Sequence, residues 1–185
     1  FPGEFGGQAI AEALFGDYNP GGRLAVTFPK SVGQIPFAFP FKPGSDESSE
    51  TSVYGALYPF GHGLSYTTFQ YSDLAISPSK QGVQGNISIS CTIKNIGQRE
   101  GDEVVQLYLR DEVSSVTTYT QVLRGFERIT LKPEASHTVH FELTPQELGI
   151  WDKQMNFTVE PGMFKVMIGS SSKDIRLKGE FEIAQ

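Results

Sequence analysis

The sequence predicts a mainly β protein, a two-sheet sandwich preceded by an αβ remnant of a layered α/β domain. Three observations predict it. From Phe69 onward, apolar and polar residues alternate with a period of two. Turn-forming groups such as Asn95-Ile96-Gly97, Lys132-Pro133 and Glu160-Pro161-Gly162 separate the alternating runs. The N-terminal stretch instead combines helical spacing with dense turn chemistry.

Within Gly6 to Phe15, Ala9, Ile10, Ala13 and Leu14 fall on one face of a helix, and Gly16 is placed as its stop. Asp17 to Gly22 reads as a tight turn, and Leu24 to Phe28 as a short buried strand ended by Pro29. One αβ step cannot cover its own apolar faces, so it is expected to pack on something else. Phe37, Phe39 and Phe41 alternate among Pro36, Pro40 and Pro43, which suggests an extended strap. Gly44 to Ser52 is polar, acidic and aperiodic, as in a mobile loop. Beyond it come Phe69 to Ile76, then Ile87 to Ile93, then Val105 to Leu109. Phe126 to Leu131 follows, with a change of phase that suggests a bulge. Val139 to Leu143, Met155 to Val159, Phe164 to Ile168 and Ile175 to Ile183 complete about eight strands. An immunoglobulin domain would need a cysteine pair, and Cys91 is the only cysteine, so a fibronectin type III-like sandwich fits better. The expected division is 1–42 for the α/β remnant, 43–67 for a linker and interdomain motif, and 68–185 for the sandwich.

At 185 residues the chain can hold one domain and part of another. Its 20 glycines and 11 prolines suit a turn-rich β protein. A net charge of −6 disfavours nucleic acid or an anionic membrane as partner. No apolar run approaches the ~20 residues needed to span a bilayer. The start at Phe1-Pro2-Gly3 is expected to be the middle of a longer protein.

Three stretches resemble glycoside hydrolase family 3. Pro2 to Gly7, followed by Ala9 to Leu24 and Thr27-Phe28-Pro29, is similar to the family's PGEEGG and ADVLFGDxNPSGRLPxTFP patterns. Tyr58 to Thr67 is close to YPFGYGLSYT. Gly101 to Tyr108, Leu123-Arg124-Gly125-Phe126 and Glu160-Pro161-Gly162 resemble the fibronectin type III-like domain that closes many of these enzymes. Phe5, Ala25 and His62 stand where Glu, Pro and Tyr are usual, which bears on subfamily and substrate.

The resemblance implies a retaining β-glycosidase of the β-glucosidase or β-xylosidase type, whose partners would be an upstream (β/α)8 barrel and the rest of the α/β domain. Retention needs two carboxyl groups ~5–5.5 Å apart. The family's nucleophile and acid/base lie upstream of the motif at Pro2, so no catalytic residue is expected here and the chain alone is predicted inactive. Glu4 reads as a helix-dipole partner. Asp102-Glu103 and Asp111-Glu112 read as solvated edge charges, because strand neighbours point to opposite faces. His137 and His140 would also face opposite sides, and no metal or cofactor is expected. His62 is expected to pack or hydrogen-bond in a glycine turn between domains.

The loop Asp111 to Thr120 carries the one candidate substrate-binding residue, Tyr119, which would stack on sugar at the outer end of a cleft. The bland alternative is an ordinary exposed loop. Trp151 is expected to anchor a strand crossing, buried, rather than stack on sugar. Asn86-Ile87-Ser88 and Asn156-Phe157-Thr158 match the glycosylation pattern but fall on expected strands. A free-standing carbohydrate- or protein-binding module is the second reading. Self-association through exposed Ile10, Leu14 and Val26 is a third possibility. A periplasmic or secreted location is expected of the parent enzyme.

Overall fold

The computed structural model describes residues 3–45 and 54–185. Its elements run α1 (Gly6–Phe15), β1 (Phe28–Pro29), β2 (Ala56–Tyr58), β3 (Phe69–Ser77), β4 (Lys80–Gly82), β5 (Ile87–Asn95) and β6 (Gly101–Asp111). They continue with β7 (Val122–Leu131), β8 (Ser136–Leu143), α2 (Pro145–Leu148), β9 (Ile150–Trp151), β10 (Phe157–Thr158), β11 (Gly162–Gly169) and β12 (Ile175–Ala184).

Two sheets face each other. One has five strands in the order β4-β12-β11-β6-β7, and the other has three in the order β3-β5-β8. Alternation builds the core between them. Ile87, Ile89, Cys91 and Ile93 of β5 and Val105 and Leu107 of β6 are fully enclosed, and Phe164, Val166, Phe181 and Ile183 meet them from β11 and β12. The rings of Phe164 and Phe181 stack at 5.4 Å. This is the expected fibronectin type III-like sandwich.

Four readings change in detail. The expected strand at Met155 to Val159 shrinks to β10, which pairs only with β9 as a small ribbon. Asp152 explains why: it accepts from the N–H groups of Gln154 and Asn156, closing a turn where the strand would begin. A short strand, β4, was not foreseen; it has no alternation to betray it and joins β12 in parallel. The bulge in β7 sits at Arg124, since Leu107 pairs Gly125 while Tyr108 pairs Leu123. Phe126 lies beyond the bulge on the outer face, exposed, so the phase between it and Ile129 is regular alternation. The fourth is Leu24 to Phe28, where only Phe28 and Pro29 pair, with β2. Val26 is 58% exposed, because nothing in the described residues covers that face.

The N-terminal segment rests on one end of the sandwich. α1 stops at Gly16, whose φ of 83° is the left-handed conformation that glycine adopts freely. The Arg99 guanidinium donates to the Gly16 carbonyl, Asn19 donates to the Glu100 carbonyl at 3.0 Å, and Tyr66 Oη donates to Ala13 at 2.7 Å. The strap is present. Phe39 stacks on Phe60 at 4.6 Å and meets Tyr108 of β6 edge-on at 5.7 Å, while Thr120 N–H donates to the Phe41 carbonyl at 2.8 Å. It thus crosses the outer face of the larger sheet. The reading of Gly44 to Ser52 as a loop lies, from Asp46 on, outside the described residues.

Candidate functional site

Two polar loci stand out, one at each end of β6. The first is the joint between the segment and the sandwich. Glu103 lies in register with the inward-facing Val105 and Leu107, on a strand flanked by β11 and β7. It is therefore not an edge charge, as its strand neighbourhood in the sequence suggested, but buried at 3% exposure. Its Oε2 accepts from Arg23 Nη2 at 3.0 Å and its Oε1 from Tyr71 Oη at 2.9 Å. One carboxylate thereby ties the turn after α1, β6 and the facing β3 together. Burial pushes the Glu103 carboxyl up, against the pull of Arg23 and Tyr71, and burial pushes the Tyr71 hydroxyl up as well. Asp102, on the outer face, binds Arg128 and accepts from Thr130 Oγ1 at 2.6 Å, a bond that holds it below the usual carboxylate range.

Next to this joint, Gly61 and His62 seat the second motif. A side chain on Gly61 would run into Gln106, whose Nε2 donates to the Ser170 carbonyl at 2.6 Å. His62 is a packing residue: its ring stacks on Tyr58 at 5.1 Å, and its carbonyl accepts from Leu24 N–H at 2.9 Å.

The second locus is at the far end of β6, where the 111–120 loop meets the turn through α2 and β9. They enclose a cavity of about 250 Å3 lined by Asp111, Tyr119, Arg124, Glu147 and Trp151 over the core residues Leu148 and Phe164. The bulge accounts for Arg124: regular alternation from Gly125 would send it outward with Phe126, and the extra residue turns it in beside Val122. Its Nε is buried and has no hydrogen-bond partner among the described residues. Burial also pulls the guanidinium down from its ordinary value, opposed by nearby Glu147. Thr144 caps α2 reciprocally, its backbone N–H donating to Glu147 Oε2 at 2.8 Å, and this fixes Glu147. Burial pushes the Asp111 carboxyl up to about 6, aided by the charges of Glu160 and Glu112, although Val113 N–H donates to it at 3.2 Å.

Tyr119 and Trp151 meet on this one cavity, 43% and 59% exposed. Trp151 is thus not the buried anchor that the sequence suggested. Gly149 admits the Phe157 ring beneath the ribbon, and Phe157 packs edge-on against Trp151 at 5.5 Å, leaving the rest of the indole in solvent. Arg124 went unnoticed as a site residue; the bulge that turns it inward shows in the pairing of β7 with β6 and not in the phase between Phe126 and Ile129.

The remaining candidates disperse. Glu4 is exposed before α1, outside its first turn, which carries no acid. Glu112 is held by Lys165 at 2.7 Å and Arg110 at 2.9 Å. His140 faces away from the side of β8 that carries Val139 and Leu143, and His137 reaches Glu127 at 3.6 Å. Among the described residues no group of three or more His, Cys, Asp or Glu is placed to hold a metal ion.

Comparison with known proteins agrees with this layout. Residues 1–66 match the glycosyl hydrolase family 3 C-terminal domain, and residues 103–172 match the fibronectin type III-like domain. A periplasmic β-glucosidase of Salmonella typhimurium is 44% identical over 99% of the chain, which covers 25% of that protein. A β-xylosidase of Formosa agariphila is 43% identical over 93% of the chain and is covered to 24%. Among solved structures, a β-glucosidase of Erythrobacter marinus superposes with a TM-score of 0.89 at 39% identity, over 97% of this chain and 24% of that one. The Listeria innocua β-glucosidase in complex with glucose gives 0.90 at 31% identity, over 100% and 27%. The chain spans about a quarter of the length of these relatives. It belongs to glycoside hydrolase family 3, as the C-terminal part of enzymes of the β-glucosidase and β-xylosidase type.

Proposed function

We propose that the chain is the buttressing, non-catalytic part of a retaining β-glycosidase, most simply a β-glucosidase acting on terminal β-linked sugars. The observation that carries this is the two-sidedness of residues 3–66. One side is pinned to the sandwich through the buried Arg23–Glu103 pair. The other presents Ile10, Leu14, Val26 and Leu64, each more than half exposed, as a face for the remaining domains of the enzyme. The division at 1–42, 43–67 and 68–185 is kept as the working one; the start of β3 at Phe69 supports its last boundary.

The catalytic pair belongs to those other domains. Glu103 is tied to Arg23 and Tyr71, Asp102 to Arg128 and Thr130, and Glu112 to Lys165, so these acids are engaged as structure. Tyr119 touches sugar at the outer end of the cleft in the assembled enzyme. A periplasmic or secreted location is supported by the Salmonella relative's name. The purified chain is expected to release no nitrophenol from an aryl β-glucoside. Turnover that disappears in Glu4→Gln would overturn the reading.

A further inference from the structure

We propose that the cavity between the 111–120 loop and Trp151 is a binding site for a single neutral pyranose unit, formed wholly by the sandwich. The proposal deepens the reading of Tyr119 as a sugar contact and rests on it. Four features carry it.

The cavity has an apolar floor of Leu148 and Phe164 and a rim of two aromatic rings, Tyr119 and Trp151. Flat rings offer the C–H face of a pyranose a large contact at small conformational cost. Arg124 is aimed inward by a bulge and keeps a buried Nε–H without an acceptor. A buried donor without an acceptor costs stability, and a hydroxyl-bearing ligand would supply what it lacks. Asp111, at the end of β6, and the capped Glu147 of α2 also line the cavity, so acceptors for sugar O–H groups accompany the donor.

Charge and size narrow the ligand. One guanidinium facing two carboxyls leaves no surplus positive charge, which argues against phosphate, sulfate or a uronic acid. At about 250 Å3 the space lies below the ~300–1,000 Å3 usual for drug-sized ligands, and so suits one ring with its neighbour projecting into solvent. Among the described residues, none that lines the cavity belongs to the N-terminal segment, so the site does not depend on the joint.

Trp151 is the only tryptophan in the chain, so tryptophan emission reports on this cavity alone. The full chain should be titrated with cellobiose, xylobiose and laminaribiose, following emission and, in parallel, heat by calorimetry. Expected is a saturable emission change with a dissociation constant near ~1 mM. Tyr119→Ala should weaken it about fivefold through the lost ring contact, and Arg124→Lys about tenfold through the lost planar donor. Tyr119 lies on an exposed loop outside the core cluster, so Tyr119→Ala stays folded even if Arg124→Lys does not. Flat titrations by both methods, or binding indifferent to Tyr119→Ala, would overturn the proposal. Chain-only binding with an unchanged KM for Tyr119→Ala in the full-length enzyme would sustain the site and remove Tyr119 from the cleft.

Discussion

The sandwich and the N-terminal segment obey the same chemistry with opposite results. In the sandwich every inward position meets another: Ile89 and Val139 face Leu107 and Val166 with no exposure at all. In the segment α1 is apolar on the expected face, yet Ile10 is 53% and Leu14 72% exposed. Local pattern alone therefore makes a helix but not a core; a second layer must come from elsewhere. The contrast explains why the relatives carry this segment only within chains about four times as long. It also explains the joint. A segment that cannot bury its own surface is held by directional bonds instead, among them the Arg23–Glu103 ion pair, with side chains only 9% and 4% exposed.

The sharpest way to break the contrast is to remove Arg23. Arg23→Ala leaves Glu103 buried with the Tyr71 hydroxyl as its hydrogen-bond partner and only the more distant Arg176 as a cation, and breaking a buried pair costs about 3–5 kcal/mol. Protonation sets a ceiling: holding a carboxyl with an ordinary value of ~4.3 neutral at pH 7 costs about 3.7 kcal/mol. Urea unfolding of the sandwich should thus lose about 3–4 kcal/mol, and Arg23→Ala/Glu103→Gln should recover more than half. Full stability in Arg23→Ala would mean that water already reaches Glu103.

A second comparison sets core against open face. Leu107→Ala should cost about 2–5 kcal/mol in the same measurement, since it empties space between the sheets. Ile10→Ala in the isolated chain should stay within about 0.5 kcal/mol. The same substitution in the full-length enzyme should cost several times more if another domain covers α1.

Most of the fold was legible because alternation is a local signal. Ile87 to Ile93 announce their face whatever lies opposite, and Gly16 announces the end of α1. What escaped depends on partners distant in sequence. Glu103 looks like a surface acid until Arg23 and Tyr71 converge on it from positions 80 and 32 residues away. Trp151 looks like a core residue until Phe157 takes the space beside Gly149. Arg124 needed both the bulge and a cavity wall from α2 and β9, and the phase between Phe126 and Ile129 marks neither. Tyr119 was legible as a residue, while the company it keeps was not.

The smallest effect concerns that company. An acid whose folded value lies above its unfolded one favours the folded state when protonated. For Asp111, raised by burial to about 6 from ~3.9, that contribution is complete below about pH 4 and fades as the pH rises through 6. Glu103, also raised, contributes with the same sign, while Asp102 and Asp174, held low by their hydrogen bonds, act oppositely in more acidic solution. The test is therefore a difference. The thermal midpoint of the unchanged chain minus that of Asp111→Asn should fall between pH 4 and 7, while the joint and the other acids cancel. The residue is partly exposed, so a shift of a degree or two is the scale to look for. A difference that is flat across that range would mean that Asp111 is solvated like an ordinary loop acid, and that the loop carrying Tyr119 lies open instead of walling the cavity.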